Sequence, residues 1–283
     1  MFRLLVTGSS GYLGSQFIKE CSDKYFISRF SLQSQSLKHI DFDRLDAVLH
    51  CAGIVHQGQK VSSKKYNRVN VKYPIDLAKL AKANGVKQFV FISSVSVYGS
   101  REYIDEESIC NPLSKYAQSK LKAENRLLEL NDDQFTISIL RIPMIYGPHA
   151  PGNIQSVIKL VDYLPIIPLG NINNRRSFIS IRNLVHSIDR VLNCRKGGIF
   201  LLADNETIST SSLISIIIKG IKKNRLLLDS GLIRLFVRLL APSVYKKLWG
   251  DLVINSRVSK ELLSLDFPDD VKTGLADMWQ LKQ

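Results

Sequence analysis

Leu4-Leu5-Val6-Thr7-Gly8-Ser9-Ser10-Gly11-Tyr12-Leu13-Gly14 is an apolar run that ends in three glycines, each three positions apart. It passes into Ser15-Gln16-Phe17-Ile18-Lys19, whose pattern is helical. Such a stretch predicts a first strand, a tight turn and the start of a helix. Gly8 permits the turn, Gly11 lets a ligand approach the backbone, and Gly14 lets the helix pack close to the strand. The free N–H groups at the helix start then face a pyrophosphate. Gly8, Ser10, Gly11, Tyr12, Leu13 and Gly14 are therefore the first candidate contacts for a dinucleotide.

Downstream, strands and helices alternate. Tyr25-Phe26-Ile27-Ser28 is a short second strand ending near Arg29. Many dinucleotide-binding folds carry a carboxylate there for the adenine ribose hydroxyls. Here the candidates are Arg29, Phe30 and Ser31. A cation suits a 2′-phosphate, so NAD is the expected cofactor and NADP stays open. Asp46 to Gly53 is a third buried strand, and Ala52 and Gly53 would let the cofactor lie across its tip. His50, inside that apolar run, reads as a core residue rather than a catalyst. Val69 to Asn84 reads as a helix entered through Asn70. Gln88 to Ile92 is the next strand, a helix spans about 112–130, and Thr136 to Arg141 is another strand. This alternation predicts an α/β fold, a Rossmann-like doubly wound parallel sheet with ligands at the carboxyl ends of its strands.

After Tyr146-Gly147-Pro148 the pattern changes, and Pro151, Gly152, Pro165, Pro168 and Gly170 break the chain into shorter pieces. Residues 1–150 are expected to form the dinucleotide-binding domain. Residues 151–283 are expected to form mostly a smaller substrate lobe, with strands near 177–181 and 199–203 returning to the main sheet. Helical segments are expected at 154–164, 182–193, 211–223 and 231–240. The last is basic and amphipathic. It reads as a lobe helix with its apolar face turned inward, and rest on a membrane surface is the alternative.

Composition narrows the class. At 283 residues, 45% hydrophobic and 23% charged, the chain has the make-up of a globular protein with a full core. Cys21, Cys51, Cys110 and Cys194 are far apart, so neither a zinc site nor a disulfide framework is expected, and a reducing cytoplasm fits. The N-terminal apolar run is a strand rather than a leader, and no apolar stretch is long enough to span a bilayer. The net charge of +14 is scattered over short clusters such as Lys64-Lys65, Arg175-Arg176 and Lys246-Lys247. With no dense basic patch, nucleic acid is not an expected partner. Contact with an acidic membrane surface stays open.

Tyr116 and Lys120 lie four apart, on one face of the helix at 112–130. A free tyrosine, with a pKa of ~10, is a poor base at neutral pH. An adjacent ammonium is expected to favour the phenolate and lower that value. Such a tyrosine can take a proton from a sugar hydroxyl or return one to a carbonyl oxygen. Ser94, at a strand end, can bond the same substrate oxygen, and Lys120 can also reach the nicotinamide ribose. A glycine turn, a strand-end serine and a Tyr-x-x-x-Lys helix form a specific set.

On these motifs the chain resembles an extended short-chain dehydrogenase/reductase of the NAD-dependent epimerase/dehydratase family, which acts on nucleotide sugars. Ser93-Ser94-Val95-Ser96-Val97-Tyr98-Gly99, Leu140-Arg141-Ile142-Pro143-Met144-Ile145-Tyr146-Gly147-Pro148 and Arg175-Arg176-Ser177-Phe178-Ile179 add to the resemblance. It implies that Ser94, Tyr116 and Lys120 are the catalytic triad, and that Asn70 and Pro143 contact the cofactor. It also implies that Asn153 and Arg176 meet the diphosphate of a substrate expected to be UDP-linked. Two departures matter. The family's dehydratases carry an Asp-Glu pair where Val95 and Ser96 stand, which argues against a dehydratase. Several 4-epimerases carry Asn where Met144 stands, which leaves the sugar open. The resemblance implies a nucleotide-sugar 4-epimerase of surface-polysaccharide precursor synthesis, paired as a homodimer through the helices at 70–84 and 112–130. The rival is an NADPH-dependent reductase of a 4-keto sugar. A non-catalytic dinucleotide-binding scaffold on RNA or membrane is the alternative of another class.

Overall fold

The computed structural model describes residues 1–31, 36–55 and 61–280. In chain order the first half runs β1 (Phe2–Thr7), α1 (Tyr12–Cys21), β2 (Tyr25–Phe30), β3 (Ala47–His50), α2 (Ser63–Tyr66), α3 (Tyr73–Ala83), β4 (Gln88–Ser94), β5 (Tyr103–Ile104), α4 (Lys115–Leu128) and β6 (Thr136–Ile142). The second half runs β7 (Met144–Tyr146), α5 (Asn153–Tyr163), β8 (Ile166–Ile167), β9 (Phe178–Ser180), α6 (Ile181–Cys194), β10 (Gly198–Leu201), α7 (Thr210–Ile221), β11 (Leu226–Leu227), α8 (Gly231–Leu240), α9 (Pro242–Trp249), β12 (Val253–Ile254), α10 (Arg257–Leu263) and α11 (Val271–Gln280).

Six strands form one sheet in the order β10-β6-β4-β3-β1-β2, with every pairing parallel. Both faces are covered, which is why the strands read as near-continuous apolar runs. One face carries Leu13 and Phe17 of α1 with Leu184 and Ile188 of α6. The other carries Leu77 and Ala81 of α3 with Ala123 and Leu127 of α4. The chain steps from β1 to β2 on one side and to β3 on the other. The strand order therefore reverses between β1 and β3, where such sheets open a crevice for a ligand.

The helix expected from Val69 starts earlier. It begins at Ser63, where the Ser62 side chain accepts the Lys65 N–H, and widens into a π-helical stretch over Asn67–Lys72 before α3. Asn70 therefore lies inside the widened turn rather than at a helix entry. In the second half, β10 joins the main sheet beside β6. β9 does not, and pairs instead with β7 in a two-stranded sheet, so the strand expected near 177–181 stays out of the main sheet. The cause is Pro143: it cannot donate to a ladder, so it ends β6 and turns the chain away.

The amphipathic segment at 231–240 also departs from expectation. It is helical, yet none of its residues is buried. Its apolar stripe faces outward, with Leu232 83% and Leu239 70% exposed. Its arginines are exposed as well, with Arg234 lining a cavity and the Arg238 guanidinium standing over the Tyr245 ring of α9.

Candidate active site

The glycine turn is built as tightly as its residues allow. Gly8 has φ +69°, and its N–H donates to the Phe30 carbonyl at 3.2 Å. A Cβ there would lie 2.6 Å from the Ala52 nitrogen, because the tips of β1 and β3 touch. A Cβ on Gly14 would lie 2.4 Å from the Gly8 carbonyl oxygen, so only glycine lets α1 pack onto the turn. Gly11 is the N-cap of α1 and offers no side-chain cap, and the first turn holds no acidic residue. Its N–H groups are thus free to receive an anion. Ser10 and Gly11 are exposed at the mouth, with Leu13 and Gly14 buried beneath them. The Tyr12 hydroxyl is buried without a partner, and burial pushes its pKa up. Arg29 is exposed near the end of β2, next to Phe30.

At the tip of β3, Gly53 faces α4. A Cβ on it would stand 3.4 Å from Asn70 Oδ1 and 3.5 Å from Lys120 Nζ. Asn70 is fully buried and clamps the segment after β3. It accepts the Ile54 N–H (2.8 Å) and donates to the Ile54 carbonyl (3.0 Å) and to Ser119 Oγ (3.1 Å). Both amide hydrogens are used within the protein, so Asn70 positions the crevice wall. His50 is a core residue here. It is stacked on Phe89 and Phe91 with Nδ1 2.9 Å from Thr7 Oγ1, and burial, then the Lys120 charge, pushes its pKa down to about 3. The glycine cradle, the uncapped helix start and the orphaned Tyr12 hydroxyl together fit a dinucleotide.

Three further side chains meet beside this crevice. β4 ends at Ser94, whose Oγ accepts the Ser96 N–H at 3.2 Å and caps the turn Val95–Tyr98. The Ser94 hydroxyl stands beside the Tyr116 phenol and favours its ionised form. Lys120 Nζ, one turn beyond Tyr116 on α4, donates to the Ile92 carbonyl at 2.8 Å and lies 4.5 Å from the centre of the Phe91 ring. Burial pushes the Lys120 pKa down to about 8, against the pull of Glu124. Burial also pushes the Tyr116 pKa up to about 12, with the Ser94 hydroxyl opposing it. The expectation that the adjacent Lys120 ammonium lowers the Tyr116 pKa is therefore corrected. The ammonium is held on a backbone carbonyl, and desolvation of the phenol dominates.

Sequence reasoning did not pair the groups behind the site. Arg141 Nη2 meets Glu124 Oε2 at 2.6 Å, with the two side chains 8% and 0% exposed. Arg141 also donates to the Tyr98 hydroxyl at 2.7 Å, and Ser93 donates to Glu124. This network braces the end of β4 against α4.

The remaining candidates lie elsewhere. Pro143 is buried between β6 and β7 with Met144 half-buried beside it, and Asn153 is exposed at the first residue of α5. Arg176 donates to the Gly250 carbonyl at 2.9 Å, and burial lowers its pKa with Asp251 opposing. Asp251 borders a polar cavity of about 340 Å³, lined also by Asn171, Asn174, Arg234 and Trp249 among others. Arg234 was not singled out for this wall. Only its i,i+4 repeat with Arg238 hinted that the helix had a cationic side.

Residues 4–203 match the NAD dependent epimerase/dehydratase family. The UDP-glucose 4-epimerase of Vibrio cholerae is 28% identical over 96% of this chain and 92% of its own length. The N-acetyl-alpha-D-glucosaminyl-diphospho-ditrans,octacis-undecaprenol 4-epimerase of Escherichia coli O157:H7 is 24% identical over 78% of this chain and 72% of its own. Among solved structures, UDP-glucuronic acid 4-epimerase from Bacillus cereus in complex with NAD superposes with a TM-score of 0.78 at 20% identity, over 100% of both chains. A dTDP-4-dehydrorhamnose reductase from Bacillus anthracis in complex with NADP gives the same TM-score at 18% identity, also over 100% of both. These likenesses establish the shared fold.

Proposed function

The chain belongs to the NAD dependent epimerase/dehydratase family, and from that premise we propose that it is a nucleotide-sugar 4-epimerase acting on a UDP-hexose or UDP-N-acetylhexosamine. It is an enzyme of a group whose members here are epimerases and reductases. The observation that carries the reading is the grouping of Ser94 at the end of β4 with Tyr116 and Lys120 one turn apart on α4, where Lys120 Nζ reaches the Gly53 tip of β3 beside the glycine turn.

The dinucleotide would be held by the Gly8–Gly14 turn and the α1 N-terminus, with Ala52, Gly53 and Lys120 along its path. When bound in its oxidised form it supplies a hydride acceptor and a positive charge that favours the Tyr116 phenolate. Tyr116 Oη takes the proton of the C4 hydroxyl while Ser94 holds the same oxygen. Loss of that proton and of the C4 hydride leaves a 4-keto sugar. Return of the hydride to the other face, with Tyr116 giving the proton back, inverts C4. Arg176 supplies a cation for the nucleotide diphosphate, to which a guanidinium is suited. Asn153 would approach the same group.

A second reading, reduction of a 4-keto sugar by NADPH, is favoured by Arg29, a cation exposed at the end of β2 where a 2′-phosphate would lie. Nicotinamide stoichiometry separates the two. An epimerase converts many UDP-sugars per cofactor, whereas a reductase consumes one NADPH per sugar. Either way, Tyr116→Phe is expected to lower kcat by about 10²–10⁴-fold with cofactor affinity retained. Near-normal turnover by that variant refutes the assignment.

A further inference from the structure

We propose that α8 and α9 form an amphipathic platform that docks this protein on an anionic lipid surface. Such a platform is independent of the reaction the site performs. Leu232, Leu235, Phe236, Leu239 and Leu240 follow i, i+3, i+4, i+7, i+8 spacing and so form one stripe along α8. All five are exposed, from 54% at Leu235 to 83% at Leu232. The helix departs from an ordinary surface helix because its apolar stripe meets solvent, while Arg234 at the cavity wall and Arg238 over the Tyr245 ring are exposed as well. Contiguous exposed apolar surface of this kind marks a surface that something covers.

Charge decides what covers it. Residues 219–250 hold eight lysines and arginines against one carboxylate, Asp229. That is a net +7, half of the chain's +14 in 32 of its 283 residues. Lys246 and Lys247 are exposed on α9, the helix that follows α8. An apolar stripe with exposed arginines on its own helix and exposed lysines on the next is the pattern of a helix lying in the headgroup region. At ten residues α8 is about 15 Å long, half a bilayer core. Among the described residues no helix is long and apolar enough to cross a membrane. α8 therefore lies on the membrane, its apolar side chains in the acyl boundary, while Lys246 and Lys247 of α9 supply cations for the phosphates.

The test is co-sedimentation with vesicles of phosphatidylcholine containing about 30 mol% phosphatidylglycerol, against phosphatidylcholine alone. The wild-type protein is expected to sediment with the anionic vesicles and to be released by salt. The double variant Phe236→Ser, Leu239→Ser is expected to lose retention at least about tenfold, with circular dichroism and turnover of a soluble nucleotide sugar unchanged. Lys246→Gln with Lys247→Gln is expected to weaken retention by about tenfold or more. Absence of retention, equal retention on neutral vesicles, or undiminished retention of the serine variant overturns the proposal. So does sedimentation equilibrium showing a dimer that the serine variant dissociates while vesicles retain nothing. In that case the face belongs to a second copy of the chain.

Discussion

At the scale of single residues, the site is held by charges taken out of water. The Glu124–Arg141 pair is fully desolvated, and both partners lean on hydroxyls, Ser93 on one side and Tyr98 on the other. Breaking such a pair costs more than it contributes, because the survivor is left buried and unpaired. Glu124→Leu is expected to lower stability in urea unfolding by roughly 3–5 kcal/mol, and Glu124→Leu with Arg141→Met to recover much of it. A single-variant loss under about 1 kcal/mol contradicts the burial argument. Lys120 makes a pH-dependent case. Its folded pKa of about 8 lies below the unfolded value, ~10.4 for a free lysine. Between those values the unfolded chain holds the extra proton, so the stability penalty of this group is full below pH ~8 and fades as pH rises. The advantage of Lys120→Met over the wild type, measured by urea melts, is therefore expected to shrink by roughly 1–3 kcal/mol between about pH 7 and about pH 10. Growth of that advantage with pH would refute the assigned shift.

At the scale of elements, the decisive contact is glycine against backbone. Gly14→Ala puts a methyl 2.4 Å from the Gly8 carbonyl oxygen, an atom of the backbone that cannot swing aside. α1 must then lift from the turn, at an expected cost of about 1–3 kcal/mol. Its N–H groups would lift too, so NAD or NADP titrated calorimetrically should bind at least about tenfold more weakly; unchanged affinity would mean that no pyrophosphate uses this turn. This element was legible in sequence because one local pattern carries both its glycines and its helix. α4 was legible for the same reason, since the four-residue spacing of Tyr116 and Lys120 sits on one helix face. What escaped has a common cause, dependence on partners far along the chain. The widening at Asn67–Lys72 is set by what Asn70 bonds at Ile54 and Ser119, not by local propensity. The Glu124–Arg141 match joins a helix to a strand. The amphipathic pattern of α8 established two faces but could not say which one meets the protein.

At the scale of the whole molecule, a buried polar knot joins the lobe to the sheet. The α6 residue Asn183 donates to Asp204 Oδ1 (2.8 Å) and the Asp269 carbonyl (3.0 Å), and accepts the Asp269 N–H (3.0 Å). Asp204 also accepts the Tyr146 hydroxyl at 2.7 Å, and Asp269 accepts the Ser180 hydroxyl at 3.1 Å. α6 covers the main sheet, Tyr146 belongs to the lobe core, and Asp269 leads into α11, so the knot touches all three. Apolar contact between the two cores also passes through Tyr12, which packs against both. Asn183→Ala would strip hydrogen bonds from a buried carboxylate and two backbone groups while leaving that apolar bridge intact. Unsatisfied groups of this kind cost about 1–3 kcal/mol each, and part of that is relieved by water entering the knot. The expected result is a loss of about 2–4 kcal/mol that is local in character. Amide hydrogen exchange should speed up over α7 and α11 and stay at wild-type rates over β1, β3 and β4. Uniform acceleration would show that sheet and lobe unfold as one unit. In the expected case the glycine turn keeps its dinucleotide while the lobe that presents Arg176 loosens, so KM for the nucleotide sugar rises and cofactor affinity does not change.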